Sequence, residues 1–324
     1  MLNTRFTSLV GCTVPLQQAP MGSFSRARLA GAVSAAGGLG MVVVTGEKPD
    51  RVAQRLDDAR AQSPGPIGAN FFLVLCDPAT LPICVAAAAA RVRVVDFFYG
   101  EPDPALVAIV HEHGALASWQ IGSLEEALAA ESAGCDFIVA QGIEAGGHVR
   151  GRVGLLTLLS EVLGTVAVPV LAAGGIGSGR AVAAALAAGA DGVRVGTRFI
   201  AAEEAEAHPR YVDALIASRA SDTLVVDTFT LGYKGAPHRV LRASAQAVNA
   251  FDGDVVGESY DPETGTTRAI RRFQKMTATR HATGMIEAMP HWAGESVSSV
   301  EARQPAAAII DELMTEAEKL LRRF

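Results

Sequence analysis

The residues best suited to chemistry lie in one short stretch, residues 141–148, which reads Gln-Gly-Ile-Glu-Ala-Gly-Gly-His. It follows an apolar run, residues 135–140, that is typical of a buried strand. Two adjacent glycines, Gly146 and Gly147, let the backbone approach a ligand closely or adopt positive φ angles. The imidazole of His148 suits proton transfer near neutral pH, so we interpret His148 as a catalytic candidate. The alternative is a structural histidine whose hydrogen bonds are satisfied.

Other candidates for acid–base or nucleophilic chemistry have weaker sequence contexts. Glu144 is either an acid–base group or an exposed loop carboxylate. His291 stands beside Trp292 and could reach the same site from the C-terminal third. The four cysteines show no CxxC pattern and no metal-ligand spacing, and no base stands beside them, so neither a metal site nor a thiol nucleophile is expected.

Two glycine-rich turns follow the histidine and predict a phosphate site. The first, residues 172–177, joins an apolar strand to a helix and contains Gly174 and Gly175, and the second contains Gly196 and Thr197. Glycine is needed there because a Cβ atom would hold a phosphate away from the backbone amides. Thr197 can add a hydroxyl donor. The alternative is that these glycines only form tight turns, and the spacing does not separate a substrate phosphate from a cofactor phosphate.

A regular alternation of strands and helices positions these turns. Eight apolar strands, each followed by a helix, occur between residues 14 and 218. Such alternation predicts parallel pairing, and eight units favour a (β/α)8 TIM barrel, an α/β fold, over a doubly wound sheet. Barrel sites lie at the carboxyl ends of the strands. Six polar or glycine-rich clusters fall there: Gln18-Ala-Pro-Met21, Asn70, Gln120, the stretch 141–148, Gly174-Gly175 and Gly196-Thr197.

The regular alternation of strands and helices ends at residue 218, and the last third does not resemble another barrel unit. Residues 224–229 suggest a strand, whereas residues 240–248 and 270–278 look helical. We therefore expect a barrel over residues 1–220, a small and mainly helical cap over its mouth at 221–304, and a C-terminal helix within 305–324 that packs back on the barrel.

Composition excludes several classes of function. The formal net charge is −6 and no basic cluster is evident, which argues against a nucleic-acid partner. No apolar run is long enough to span a membrane. Leu9-Val-Gly-Cys12 resembles a lipoprotein cleavage box, but the segment that precedes it is too short and too polar for the apolar region of a signal peptide. A cytoplasmic protein with free cysteines is expected, and a homodimer is compatible with the sequence.

As a set, the motifs resemble the nitronate monooxygenase family, once called 2-nitropropane dioxygenases. The match runs in order along the chain, through Gln18-Ala-Pro-Met21, Ala36-Gly-Gly-Leu-Gly40, the stretch 141–148, Ala172-Ala-Gly-Gly-Ile176, Gly196-Thr-Arg-Phe199 and Ala293-Gly-Glu-Ser-Val297.

The resemblance implies a barrel with FMN at its mouth. Gly174, Gly175, Gly196 and Thr197 would hold the FMN phosphate, and His148 matches the catalytic histidine of the family. The other residues implied to contact the cofactor are Pro20, Met21 and Gly22 against the isoalloxazine ring, Asn70, Gln120 and Gln141 as polar partners, and Gly146 and Gly147 in the histidine turn.

The implied activity is an FMN-dependent oxidation of alkyl nitronates with O2 to carbonyl compounds and nitrite. Neutral nitroalkanes would become substrates if His148 removes the α-proton. The first alternative is a flavin-dependent NAD(P)H enoyl-acyl-carrier-protein reductase, which shares the histidine turn but needs a surface for an acidic carrier protein. A flavin-free isomerase or lyase acting on a phosphorylated metabolite is the second.

Overall fold

A closed parallel barrel forms the body of the protein. The computed structural model describes residues 2–231 and 235–323. The eight barrel strands are β1 (Leu16–Gln18), β2 (Gly40–Val43), β3 (Ile67–Phe72), β4 (Val94–Phe98), β5 (Leu116–Ile121), β6 (Phe137–Gln141), β8 (Val170–Ala173) and β9 (Gly192–Val195), and β7 (Gly147–His148) is a two-residue strand outside the barrel. Neighbouring strands pair in parallel in the order β1-β9-β8-β6-β5-β4-β3-β2. A bridge between Gln17 and Leu39 joins β1 to the start of β2 and closes the ring. The (β/α)8 prediction is confirmed.

The helices surround this barrel, and their apolar faces pack against the outside of the sheet. They are α1 (Arg5–Val10), α2 (Ala27–Ala35), α3 (Pro49–Arg60), α4 (Leu81–Ala89), α5 (Pro104–Glu112), α6 (Leu124–Ser132), α7 (Leu155–Leu163), α8 (Gly179–Ala187), α9 (Thr197–Ile200) and α10 (Pro209–Ile216). On α2, for example, Leu29 and Val33 point inward and are fully buried, at the spacing expected of an amphipathic helix.

The barrel interior is apolar at its amino-terminal end, and α1 covers that end. Phe6 of α1 is fully buried and meets Phe137 of β6 edge to face, with 5.4 Å between ring centroids. Met41, Val139 and Leu171 project into the same layer from three strands. This packing closes the bottom of the barrel, so a ligand can enter only from the carboxyl ends of the strands.

The segment between the barrel and the last helix is richer in strands than expected. It contains β10 (Thr223–Val226), β11 (His238–Leu241), α11 (Arg242–Ala250), β12 (Val255–Asp261), β13 (Thr266–Arg271) and β14 (Ala282–Gly284). The expectation of a mainly helical cap is therefore wrong. Residues 266–271 pair with β12 as a hairpin, and Ile270 is buried by that pairing rather than by a helix face.

The C-terminal helix, α12 (Ala306–Leu321), is confirmed and packs on α8. The two helices approach so closely that a Cβ atom on Gly179 would lie 2.4 Å from the Cβ of Glu316. Arg198 of α9 also binds Glu312 of α12 at 2.7 Å. The division into 1–220, 221–304 and 305–324 stays a prediction, and residues 1, 232–234 and 324 of those ranges lie outside the described residues.

The helices were compared with the length and composition of a membrane span. In the described ranges, none combines the length and the apolar composition that a membrane span requires.

Candidate active site

One cavity of about 440 Å³ opens at the carboxyl ends of the barrel strands. All thirteen residues that the sequence analysis singled out as site residues line it. They are Pro20, Met21, Gly22, Asn70, Gln120, Gln141, Gly146, Gly147, His148, Gly174, Gly175, Gly196 and Thr197. The structure therefore brings the proposed site together from the ends of β1, β3, β5, β6, β8 and β9, while the roles of the single residues stay predictions.

A buried ion pair lies at the floor of this cavity. Arg194 of β9 and Asp96 of β4 project inward, and their side chains are 2% and 0% exposed, with 2.6 Å between Nη2 and Oδ1. Arg194 also donates to Gln17 from Nε at 2.8 Å and to Gln120 from Nη1. Asp96 accepts further hydrogen bonds from Ser118 at 2.8 Å and from Asn70 at 2.7 Å. Each nitrogen of the guanidinium and each oxygen of the carboxylate thus has a hydrogen-bond partner, as a buried charge requires.

This network fixes the orientation of two amides that face the cavity. The side-chain oxygen of Gln120 accepts from Arg194, so its NH2 group remains for a ligand. The NH2 group of Asn70 donates to Asp96, so its oxygen remains as an acceptor. The floor therefore presents one donor and one acceptor, held by charged partners rather than by flexible side chains.

The two glycine turns form a cradle at one side of the cavity. Gly174 and Gly175 have φ angles of +108° and +69°, which favour glycine. Within the described chain, the backbone N–H groups of Gly175, Ile176 and Thr197 have no acceptor. The Thr197 hydroxyl accepts a hydrogen bond from the Gly294 N–H at 3.0 Å, so its own proton remains to be donated. Unpaired amides beside a free hydroxyl suit a phosphate group.

The loop after β1 forms another wall and is held from beneath. The Ser25 hydroxyl accepts a hydrogen bond from the backbone N–H of Met21 at 2.8 Å, and it receives another from the Gln18 amide at 2.7 Å. Gly22 has a φ of +49° at the bend of the loop. Pro20 and Met21 therefore present a fixed apolar surface to the cavity.

The histidine turn is held by the side chain of Gln141. Its NH2 group donates to the carbonyl of His148 at 2.9 Å, and its oxygen accepts from the backbone N–H of Arg150 at 3.1 Å. The Gln141 amide thus bridges the backbone of His148 and Arg150 and fixes the position of Val149, which lies between them. Gln141 is 4% exposed, so this role is structural as well as cavity-lining.

The cap also holds this turn. Gly147 and His148 pair with Arg239 and His238 of β11 in an antiparallel strand. A second cap segment crosses the turn, and a Cβ atom on Gly146 would lie 2.3 Å from the backbone nitrogen of Gly294. Glycine is therefore required at position 146 by backbone-to-backbone contact with the cap.

Aromatic rings surround the imidazole of His148. Its ring centroid lies 4.8 Å from that of Phe72, 5.5 Å from that of Trp292 and 6.0 Å from that of Tyr99. Burial among these rings, with smaller effects from His238 and Lys275, lowers the pKa of His148 to about 3. The imidazole is therefore neutral at physiological pH.

Two weaker candidates have structural roles. Both carboxylate oxygens of Glu144 accept from the backbone N–H of Leu155, at 3.0 and 3.1 Å, so Glu144 caps the start of α7. His291 is 3% exposed, stacks on Tyr211 at 4.4 Å and contacts the carbonyl of Ile286 through Nε2 at 3.1 Å. Its neighbour Trp292 lines the cavity instead.

The sequence did not identify four residues of the site. Arg194, Trp292 and the cap residue Lys275 line the cavity, and Asp96 lies beneath it as the partner of Arg194. Asp96 and Arg194 carried a signal, since each is a single charged residue within an otherwise apolar strand. Lys275 carried none, because it lies in an irregular part of the cap and is far in sequence from every barrel motif.

Known proteins share both the sequence and the fold. A family model described as nitronate monooxygenase matches residues 3–316. A nitronate monooxygenase of Paraburkholderia phytofirmans is 30% identical, over 98% of this chain and 95% of the relative. The chain belongs to the nitronate monooxygenase family. A nitronate monooxygenase of Pseudomonas aeruginosa is 29% identical, over 97% of this chain and 99% of the relative. The resemblance drawn from the motifs is thus confirmed, and the protein is a flavin-dependent oxidoreductase, as monooxygenases of this family are.

Solved structures agree over the full length. A nitroalkane oxidase from Streptomyces ansochromogenes has a TM-score of 0.77 and 27% identity, and the match covers 98% of this chain and 99% of the other. FabK from Thermotoga maritima has a TM-score of 0.81 and 29% identity, with 100% and 98% covered. The barrel and the cap are therefore features that this chain shares with both proteins.

The buried ion pair generates a stability prediction. Asp96→Asn leaves the Arg194 guanidinium without its counter-charge in a buried place, which typically costs about 3–5 kcal/mol. Urea unfolding at neutral pH measures this loss. Ser118→Ala, which removes only one hydrogen bond to Asp96, should cost about 1 kcal/mol. Equal losses in the two variants would show that the charge of Asp96 is not what matters.

The amide of Gln141 generates a prediction about positioning. Gln141→Leu keeps the side-chain volume but removes both contacts to the histidine turn, so we expect kcat with a neutral nitroalkane to fall roughly tenfold or more. Bound flavin, measured by absorbance after denaturation, should stay close to that of the unchanged protein. Gln141→Glu keeps one acceptor and loses the donor to the His148 carbonyl, so it should give an intermediate rate. Full activity in the leucine variant would mean that the turn needs no such support.

Buried histidines generate a pH prediction. Burial lowers the pKa of His148 to about 3 and that of His291 to about 4, whereas an unfolded chain titrates near the ordinary 6.5. The unfolded chain therefore binds more protons below pH 6.5, and stability present above that pH is lost as the pH falls. The free energy of unfolding should drop by roughly 3–5 kcal/mol between pH 7 and pH 4.5. Urea midpoints should show a smaller drop for His291→Gln than for the unchanged protein.

Proposed function

We propose that the protein is an FMN-dependent nitronate monooxygenase that oxidises alkyl nitronates with O2 to carbonyl compounds and nitrite. The observation that carries this proposal is the shared cavity, in which a phosphate cradle and a neutral, aromatic-walled histidine face the same space. Membership of the nitronate monooxygenase family and the similarity to a nitroalkane oxidase support the same substrate class.

The residues present fit FMN. The unpaired amides of Gly175, Ile176 and Thr197 suit its phosphate. The pyrimidine edge of an isoalloxazine ring carries one N–H donor between two carbonyl acceptors, which matches the free oxygen of Asn70 and the free NH2 group of Gln120. Pro20 and Met21 offer an apolar surface for the ring. When bound, FMN supplies the electron transfer from the substrate to O2 that no side chain of the chain can perform.

The chain itself supplies position, exclusion of water and a base. Phe72 and Trp292 enclose the imidazole of His148, so a nitro group beside it is shielded from solvent. For a neutral nitroalkane, a ring nitrogen of His148 takes the α-proton, since the imidazole is neutral when the substrate arrives. A nitronate is already an anion and needs no such step. Lys275 lines the same cavity, and burial lowers its pKa.

The reductase hypothesis rests on the histidine turn, residues 141–148, which the enoyl reductases share. It would require NAD(P)H and an acyl thioester in place of O2 and a nitronate. Membership of the nitronate monooxygenase family argues against a flavin-free isomerase or lyase.

For the location, the cytoplasm stays our proposal because all four cysteines are free. A homodimer stays a prediction.

A visible spectrum of the purified protein tests the cofactor. We expect flavin absorbance near 450 nm and release of FMN, rather than FAD, on denaturation. Oxygen uptake should follow addition of ethyl nitronate without NADH. A colourless protein would contradict the proposal, and NADH oxidation that depends on an enoyl thioester would favour the reductase.

Replacement of the histidine tests the mechanism. His148→Ala should keep bound FMN and lose about 10²–10⁴-fold in kcat/KM with neutral nitroethane, because a positioned base contributes on that order. With preformed ethyl nitronate the loss should be below about tenfold. The comparison uses both substrates on the same enzyme preparation. Undiminished turnover of nitroethane would remove His148 from the mechanism.

A further inference from the structure

Three arginines meet one carboxylate at the rim of the cavity, on the side of β1 and β2. Arg26 precedes α2, and Arg51 and Arg55 lie one turn apart on α3. Arg26 and Arg55 each approach Oε2 of Glu263 at 3.2 Å, and Arg51 contacts the same oxygen. Glu263 belongs to the cap, at the turn between β12 and β13. A single carboxylate oxygen therefore takes three guanidinium groups that come from two barrel helices.

The contact with Glu263 leaves a hydrogen-bond donor of Arg55 without a partner. It is 6% exposed, it lines the cavity, and its Nε is buried without a hydrogen-bond partner. Its remaining contact is Glu47, at 2.8 Å from Nη2. A buried guanidinium with an unused donor at a cavity wall is costly unless a ligand completes it.

The charges of this cluster balance only because the cap takes part. Three arginines face the barrel residue Glu47 and the cap residues Asp261 and Glu263, whose charges act on Glu47 together with those of Arg26 and Arg51. If the cap residues move away, three positive charges remain against one negative charge. The barrel side alone is therefore a site for an anion, and the cap supplies a substitute for that anion.

The cap element that carries Glu263 is weakly anchored. In the β12–β13 hairpin, residues 257–269 are all described and none is buried. Val256 and Ile270 are buried at its base, where β12 also pairs with β14. Few apolar contacts hold the outer half, so exchange of the Glu263 carboxylate for another anion costs little packing.

We propose that Arg26, Arg51 and Arg55 form a subsite for the phosphate group of a second ligand, and that Glu263 occupies it in the free protein. A pyrophosphate bridge has four non-bridging oxygens, so each guanidinium can meet an oxygen of its own, whereas Glu263 offers one oxygen to all three. The ligand is an elongated organic phosphate whose other end reaches the cavity. A pyrophosphate-linked dinucleotide and a coenzyme A type thioester share this chemistry.

This subsite is distinct from the glycine cradle. The cradle follows β8 and β9, whereas the arginines lie beside β1 and β2 on the other side of the loop that contains Met21. The inference rests on the proposed function in one respect, since FMN is taken to fill the cradle. The test is therefore a binding measurement on flavin-loaded protein, which gives a result whether or not nitronates are oxidised.

Calorimetric titration with inorganic pyrophosphate, ADP-ribose and coenzyme A tests the subsite. Glu263→Gln removes the competing carboxylate and should tighten pyrophosphate binding about tenfold. Arg51→Gln should weaken it about tenfold, and Arg51→Lys should recover only part of the loss. Glu258→Gln is the matched control, because Glu258 lies on the same hairpin, is exposed and makes no ion pair with the three arginines.

The binding results distinguish a dinucleotide from a thioester, and a phosphate subsite from a purely structural role of the arginines. Tighter binding of ADP-ribose in the Glu263 variant identifies a dinucleotide, and tighter binding of coenzyme A identifies a thioester. Pyrophosphate binding that is unchanged in Glu263→Gln, or undiminished in Arg51→Gln, would overturn the proposal and leave the arginines as a structural tie for the hairpin. Thermal midpoints of all variants show whether a change in binding reflects folding. Arg51 and Arg26 are about 30% exposed, which makes them cleaner to replace than Arg55.

Discussion

The ion pair between Arg194 and Asp96 is the constraint on which the site depends. Two opposite charges inside a barrel are stable only if each finds further hydrogen-bond partners, and three strands, β1, β3 and β5, supply them. The same partners, Asn70 and Gln120, are the polar groups of the cavity floor. The pair therefore divides the interior in two. Below it, Phe6, Met41 and Phe137 form an apolar plug, and above it the barrel is open and polar.

A second theme is that the barrel does not complete the site alone. The phosphate cradle belongs to the barrel, although the Thr197 hydroxyl is oriented by Gly294 of the cap. The histidine belongs to a barrel loop, but its backbone pairs with β11 and its ring packs on Trp292. The apolar enclosure that keeps His148 neutral therefore comes from both parts. The proposed cofactor site and the proposed base thus use different combinations of barrel and cap.

Much of the barrel and its ligand-facing edge was predictable from the sequence. The barrel strands are short apolar runs, and glycines mark the turns after β8 and β9, so both fold and clustering followed from elementary patterns. The cap was harder, because β12 and β13 are largely exposed and polar, and residues 270–278 mimic helical spacing. Asp96 and Arg194 looked like isolated charges until the barrel brought them together. The meeting of Glu263 with Arg26, Arg51 and Arg55 joins positions more than 200 residues apart, and no local pattern reports such a contact.

The pairing of His148 with β11 ties the histidine turn to the cap. A barrel without the segment after residue 220 would retain the glycine turns and the polar floor, yet its histidine loop would lack the strand and the indole ring that hold it. The segment that covers the mouth is therefore also the segment that positions the imidazole, and a change in the length of the loop would require a matching change in the cap.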